Sequence, residues 1–382
     1  MPSAFAQSIR DSARVTVITY APTDSAPQWR IDARPELVIG TRGGPATSTF
    51  SNITNAFRLA DGTIVVGDMD SRQIRMFDSD GAHMRTIGRE GGGPGEFRSL
   101  WRVWRESDRI LGLDGSGRIH AFRFDGEYLE TAQPLVSSSG ARIRPHGFLA
   151  NGVPIGSFLE LAPDVPTGRS LAAGTLVKVM AGDIVPLARY PSHVVIKHPG
   201  QRPTHLVYGP EAVVGVLPDR VCIGYPRAYE FHCFDEGGRL RTITRRENWP
   251  SRTVTEGDRE IYFAGIDQAN PGERGASYRQ QVRETTDFAS ELPAYGRFVV
   301  ASETGELWIG PMIPQDQTLG LLNVTSDEPT RWSVFSPDGL WLSEIVLPGR
   351  FHLTDAGSNY VLGVSRDEFD IERIVMFRLL RN

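Results

Sequence analysis

Few side chains in this 382-residue chain have the type and setting for chemistry. Trp101 and Arg102 are consecutive, and an indole plate beside a guanidinium suits an anionic or a carbohydrate ligand. The alternative is that Trp101 and Trp104 pack inside the fold. Of eight histidines, His146 and His352 stand just before the turn-forming runs Ala150-Asn151-Gly152 and Ala356-Gly357. Cys222 and Cys233 flank a turn-like stretch centred on Arg227-Ala228. Their spacing is not a zinc motif, which needs more ligands nearby. If the flanking strands pair, the two sulfurs face one another, and a disulfide is allowed in an exported protein; two buried thiols are the alternative. The glycine-rich run Gly88–Gly95 lacks a Gly-Lys-Ser/Thr ending and opens no helix, so it is not a phosphate loop. No Ser-His-Asp set can be recognised, because a triad is defined in space and not by order.

Composition narrows the classes further. The net charge of −5 argues against a nucleic-acid footprint, which needs a concentrated basic surface. No apolar run approaches the ~18 residues of a membrane-spanning helix. The 40 glycines and 26 prolines show no collagen-like period and suit many short strands joined by turns. Near the start, Ala4-Phe5-Ala6 has the small-residue pattern of a signal-peptidase site, without the basic and apolar regions that precede one. The expectation is that residues 1–13 are a signal-peptide remnant or a disordered tail, with the gene start upstream of Met1. Residues 14–382 are then one folded unit.

The elements that must position these side chains are written as repeats. Phe77–Gly81, Phe122–Gly126, Phe234–Gly238 and Phe335–Gly339 all read F-x-x-x-G between two apolar runs. The aromatic ends one strand facing the core, and the polar residues and glycine turn the chain through a positive φ. A second strand pair lies upstream of each copy, giving four strands per repeat. Four-stranded antiparallel units repeated along a chain are propeller blades. The count places blades near 54–90, 98–134, 144–192, 204–247 and 294–348. A sixth has three strands: Phe351–Thr354, Tyr360–Val364 and Ile371–Leu379. The missing strand is at the other terminus. Glu36–Pro45 mirrors Arg85–Pro94, so Trp29–Ile39 should pair with Ile371–Leu379 and remove an exposed edge. The fold expected is all-β: a six-bladed β-propeller closed by an N-terminal strand. A helical pattern at 253–290, capped by Thr255, makes a small insertion between blades 4 and 5.

The segment Ile87–Phe97 after its Asp-Gly strand pair resembles NHL-repeat propellers. The C-terminal half is similar to exported bacterial six-bladed propellers without a shared activity, through Leu292–Arg297, Leu307–Ile309, Trp332–Phe335, Tyr360–Gly363 and Arg366–Glu368. That resemblance implies an extracytoplasmic bacterial protein, periplasmic, cell-surface or secreted; separately, a monomer that does not span the membrane is expected. Some six-bladed lyases hold a metal with histidines at the channel mouth. Aligned by their following turns, His146 and His352 begin opposite blades, and His205 could join them around a divalent metal. Packing between blades is the alternative for these histidines. Calcium-dependent lactonases of this fold use Glu, Asn and Asp on inner strands, where this chain has Asn55, Glu106, Asn151, Glu303 and Asp355.

The crossovers vary in length on one face: compact around Gly91–Phe97, long at Ser137–Arg144, Ile196–Thr204 and the helical insertion. Length variation on one face of a repeat array marks a binding side. The reading is a non-catalytic binding module with no cofactor, holding a protein, peptide or glycan at that channel mouth. The residues expected there are Trp101, Arg102, His146, His205, Tyr295 and His352. A metal-dependent lyase or lactonase is the alternative.

Overall fold

Apolar residues alternating with polar ones, interrupted every few residues by glycine-led turns, fold into short antiparallel strands. The computed structural model describes residues 7–12, 14–21, 28–41, 43–137, 140–160, 165–180, 183–314, 326–367, 369 and 371–381. Its strands form six four-stranded blades of a β-propeller. The inner strands are Ile53–Arg58, Leu100–Glu106, Arg144–Phe148, Val213–Val216, Arg297–Val300 and Phe351–Ala356. They stand side by side around a central channel, each starting at the face where the chain crosses from one blade to the next.

The F-x-x-x-G phrase builds the hairpin from third to fourth strand. Gly81, Gly126, Gly238 and Gly339 have φ of 84°, 87°, 77° and 86°, where a side chain would be strained. A register shift occurs at each preceding phenylalanine, so one residue bulges and the ring turns into the core. Phe77, Phe122 and Phe335 are fully buried there. In the first copy the carboxylate of Asp78 accepts the amides of Asp80 and Ala82 at 3.0 and 2.8 Å, holding the turn.

Closure of the ring follows the expected pairing. Leu37–Ile39 pairs antiparallel with Ile374–Met376 as the fourth strand of blade 6. Arg30–Ile31 continues along the same strand opposite Leu379–Leu380. The segment Gln28–Ile31 also pairs in parallel with Glu344–Ile345, so it bridges the outer edges of blades 5 and 6. Trp29 is buried between them with Trp308, Trp332 and Phe377. Arg381 stacks 4.1 Å above Trp29 and forks onto Glu306 at 2.6 and 3.0 Å.

Two features differ from the expectation, and the cysteine alternatives are resolved. The described part of the supposed 1–13 tail is a strand: Gln7–Ser12 forms a hairpin with Val15–Tyr20. That hairpin extends blade 4, because Val15–Tyr20 pairs in parallel with its outer strand Leu240–Arg246. Tyr20 fills the gap beyond it, stacked on Trp341 at 5.2 Å. Residues 1–6, with the Ala4-Phe5-Ala6 pattern, lie outside the described residues. Blade 3 is longer than expected. Its outer strand runs Asp183–Lys197 and carries a fifth strand, Thr204–His205, which the spacing had assigned to blade 4. Cys222 and Cys233 lie directly opposite on neighbouring strands of blade 4 and form a disulfide, with Cα atoms 4.0 Å apart.

The insertion is helical as read. Helix α1 spans Glu256–Ala269 and opens with a capping box in which Thr255 and Asp258 satisfy one another's backbone amides. Helix α2 spans Ala276–Thr285. Tyr262, Phe263 and Phe288 pack with Tyr208 beneath the helices.

Closure should make the blades cooperative, since each packs on two neighbours. Deleting residues 1–39 removes the blade 6 edge strand and the Trp29 anchor. The expected result is a fall in melting temperature of more than about 10 °C, measured by circular dichroism. Deleting residues 1–14 spares the closing strand and should cost much less. Equal melting of both truncations and the full chain contradicts the role of closure.

Candidate functional site at the channel mouth

The site is assembled from the first residues of the inner strands. Arg102 of blade 2 and Arg144 of blade 3 stand at this end of neighbouring strands, opposite Leu113 and Ser157 respectively. Beyond Arg144 the ladder is irregular. Pro145 has no N–H, and the register shifts between Pro145 and Gly147, which leaves His146 as the bulged residue. Its Nε2 lies 2.7 Å from the hydroxyl of Ser157.

Arg102 keeps solvent access, yet protein surrounds it, as expected for a side chain inside a channel mouth. This burial, together with the positive charge of Arg144, pushes its pKa down to about 10. The guanidinium sits 5.5 Å over the ring of Trp104. Trp101 is 52% exposed beside it in sequence and lies against the turn at Gly115. His146 responds more strongly. Burial first, then Arg144 and Arg102, push its pKa down to about 3, so the imidazole is neutral at physiological pH and serves as a hydrogen-bonding group.

A second cluster adjoins this one. His193 of the blade 3 outer strand and His205 stack face to face, with ring centroids 4.3 Å apart and planes inclined by 7°. His205 Nδ1 lies 3.6 Å from the carboxylate of Glu211. Glu211 raises the pKa of His205, while burial and the neighbouring His205 lower that of His193. The stack is thus poised to hold one proton. Glu211 also feels Arg144, which joins the two clusters. Outside the stack, a cavity of about 500 Å³ separates α2 from the strand Thr204–His205; Glu211, Tyr262 and Tyr278 are among its lining residues.

The expected residues divide as follows. Arg102, Trp101, His146 and His205 are found at the mouth or its margin. His352 is also at the mouth, where Arg297 Nη1 approaches its Nδ1 at 2.6 Å. Tyr295 is not. It is fully buried, packs on Tyr229 and Phe298, and donates its hydroxyl to the carbonyl of Glu230. Its position just before an inner strand was read correctly, but Gly224 leaves a hollow that takes its ring into the core. His146, His205 and His352 do not converge: each has a different partner, Ser157, Glu211 and Arg297. Among the described residues no group of three His, Cys, Asp or Glu has a metal-holding arrangement.

The acidic and amide set is dispersed too. Asn55 binds the carbonyl of Val103, Glu106 binds Arg109, Asn151 reaches Glu236, and Glu303 takes the hydroxyl of Ser358. Asp355 is a buried tie between blades. It accepts the amides of Arg58 and Ser302 and the hydroxyls of Ser302 and Tyr360. Burial still raises its pKa above the usual carboxylate range.

Arg144, His193 and Glu211 escaped the sequence reading. Arg144 was accessible to it, since the alignment that selected His146 also places Arg144 at the start of the same strand. His193 carried no such signal, because it joins His205 only through a strand pairing 12 residues away in sequence.

Comparison with known proteins agrees with the fold. Residues 48–139 match a family described as a 6-bladed beta-propeller. No curated protein matches the sequence. A crystal structure from Bacteroides vulgatus, a member of a domain family of unknown function, is similar at TM-score 0.56 and 11% identity, over 94% of this chain and 100% of that one. A protein of Bacteroides fragilis predicted to be exported is similar at TM-score 0.52 and 11% identity, over 96% of this chain and 99% of that one. At such identity the likeness carries the fold alone. No helix among the described residues is long and apolar enough to cross a membrane.

The histidine assignments are checked by following the imidazole resonances against pH. His146 should show no titration above about pH 4. His205 should titrate above, and His193 below, the ordinary imidazole value of ~6.5. The signs for stability follow. The folded chain refuses a proton at His146 that the unfolded chain accepts, so this site destabilises progressively as pH falls from ~6.5 toward about 3. The His205–Glu211 contact stabilises fully below the unfolded imidazole value and is lost as pH rises through the raised folded one. A His146 resonance titrating near pH 6.5 contradicts the described environment.

Proposed function

We propose that this chain is a non-catalytic binding module that holds an anionic group of a protein, peptide or glycan at the channel mouth. The observation that carries the reading is the pair Arg102 and Arg144. The chain has 46 acidic residues and a net charge of −5, yet neither guanidinium makes an ion pair among the described residues. Two cations held within electrostatic range of each other repel, and a bound anion relieves that repulsion. Neutral His146 adds a hydrogen-bonding group without adding charge, and Trp101 offers a plate at the rim. The closed ring fixes the strands that carry these groups, so little ordering is required on binding. No cofactor is needed for this activity.

We infer also that the protein works outside the cytoplasm. The Cys222–Cys233 disulfide supports this, as does the likeness to a Bacteroides protein predicted to be exported.

The test is calorimetric titration of the full chain with citrate at low ionic strength. Arg102→Met and Arg144→Met should each weaken binding about 10- to 100-fold, the range for a hydrogen bond to a charged group. Added salt should weaken the wild type further. Arg102→Met should leave the melting temperature unchanged or raise it, because it removes a like-charge repulsion. Citrate affinity unchanged in both variants overturns the proposal.

A further inference from the structure

The cavity beneath α2 has a chemistry that the anion reading does not use. Its lining alternates two kinds of surface. Tyr262 and Tyr278 supply aromatic faces, with Val282 and Val207 beside them. Tyr278 is 49% exposed, although tyrosine rings on a helix usually pack. The polar groups are Gln281 and the hydroxyls of three threonines, Thr204, Thr285 and Thr286. The amide of Gln281 makes no hydrogen bond to the described residues. Its volume of about 500 Å³ is in the range of small-ligand sites.

Thr285 and Thr204 already donate to backbone carbonyls, but a purely aliphatic ligand would strip water from the amide of Gln281 without replacing its hydrogen bonds. A sugar ring would not. It has an apolar C–H face that lies on tyrosine, and a rim of hydroxyls that both donate and accept, as Gln and Thr side chains do. Among the described residues, the ionisable acid and base at the wall are Glu211 and His205, which are engaged with each other. Glu211 stands two residues before the inner strand Val213–Val216, which packs against the inner strand that Arg144 begins. The cavity and the arginine mouth are therefore adjoining compartments with different chemistry, one matched to a sugar ring and one to an anion.

We propose that the ligand is an acidic oligosaccharide, with one sugar ring seated between α2 and Thr204–Val207 and a uronate carboxylate on Arg102 and Arg144. This rests on the anion reading and adds to it a ligand class and a second subsite. The helical insertion is then one wall of the binding site.

The probes are tetrasaccharides of galacturonate, mannuronate, hyaluronan and heparin type, with citrate and a tetraglutamate peptide as controls, titrated into the full chain. At least one tetrasaccharide should bind about tenfold or more tightly than citrate. Tyr278→Ala, an exposed position whose loss should spare the fold, should remove that excess, by about tenfold, and leave citrate affinity unchanged. Gln281→Ala should act in the same direction. If citrate binds through Arg102 but no tetrasaccharide exceeds it, or the excess survives Tyr278→Ala, the saccharide inference is overturned and the anion reading stands. Tetraglutamate binding as tightly as the best tetrasaccharide overturns it equally, in favour of an acidic peptide. If a tetrasaccharide needs Tyr278 but is indifferent to Arg102→Met, the anion reading fails and with it the acidic part of this proposal. If no probe binds, both fall.

Discussion

The structure depends on one pairing: Leu37–Ile39 against Ile374–Met376, across more than 330 residues of sequence. Without it, blade 6 has three strands and an open edge, and the ring of inner strands has nothing to hold its ends together. The neighbouring contacts strengthen the same joint. Gln28–Ile31 bridges blades 5 and 6, Trp29 is buried at the junction, and Arg381 clamps both Trp29 and Glu306. Glu372 reinforces it from the other side, accepting the amide of Ile53 in blade 1 at 2.6 Å while paired with Arg366. Closure thus combines backbone hydrogen bonding with buried charge pairs that are satisfied on several sides, the condition under which such pairs are tolerable.

A closed ring determines what its mouth can contain. Packing between blades supplies the stability, through clusters such as that of Phe57, Phe97 and Phe122 between blades 1 and 2. Several side chains at the start of the inner strands, such as Ile53, Leu100 and Phe351, join those clusters, while Trp101, Arg102 and Arg144 stay exposed. The mouth can hold an arrangement unfavourable by itself: two guanidiniums in mutual range and an imidazole kept neutral by burial first and by them second. At the opposite ends of the same strands the pattern is different. Asp355 there is enclosed by five donors from three blades. One end of the channel is a structural tie, and at the other Arg102 and Arg144 make no ion pair among the described residues.

The helical insertion differs from the blades in how it is held. It docks through an aromatic cluster around Tyr208 and Phe288 and through short bridges, Val207 to Phe288 and Thr253 to Glu291. It leaves a cavity of about 500 Å³ against the edge strand of blade 3. The departures from the repeat lie together in the chain: the extended blade 3, the long crossover to blade 4 and the insertion before blade 5.

The sequence by itself determined the blade count, the closing strand and the position of the helices. Each of these is local or repeated. A phenylalanine with a glycine four residues on specifies a hairpin wherever it occurs, and Thr255 with Asp258 specifies a helix start. It also placed Trp101, Arg102 and His146 near the starts of inner strands, because the repeat assigns equivalent positions to equivalent places. Tertiary structure alone decided the direction each side chain takes. Tyr295 turned into the core because Gly224 offered it space, and His146 turned with a bulge that Pro145 introduces. His205 met His193 rather than His352, because an added strand on blade 3 placed it there. The N-terminal hairpin on blade 4 was hidden for a related reason: its parallel pairing partner lies more than 220 residues away, and nothing in either segment names the other. Repetition makes topology legible, whereas a site is built from the positions at which the repeats depart from one another.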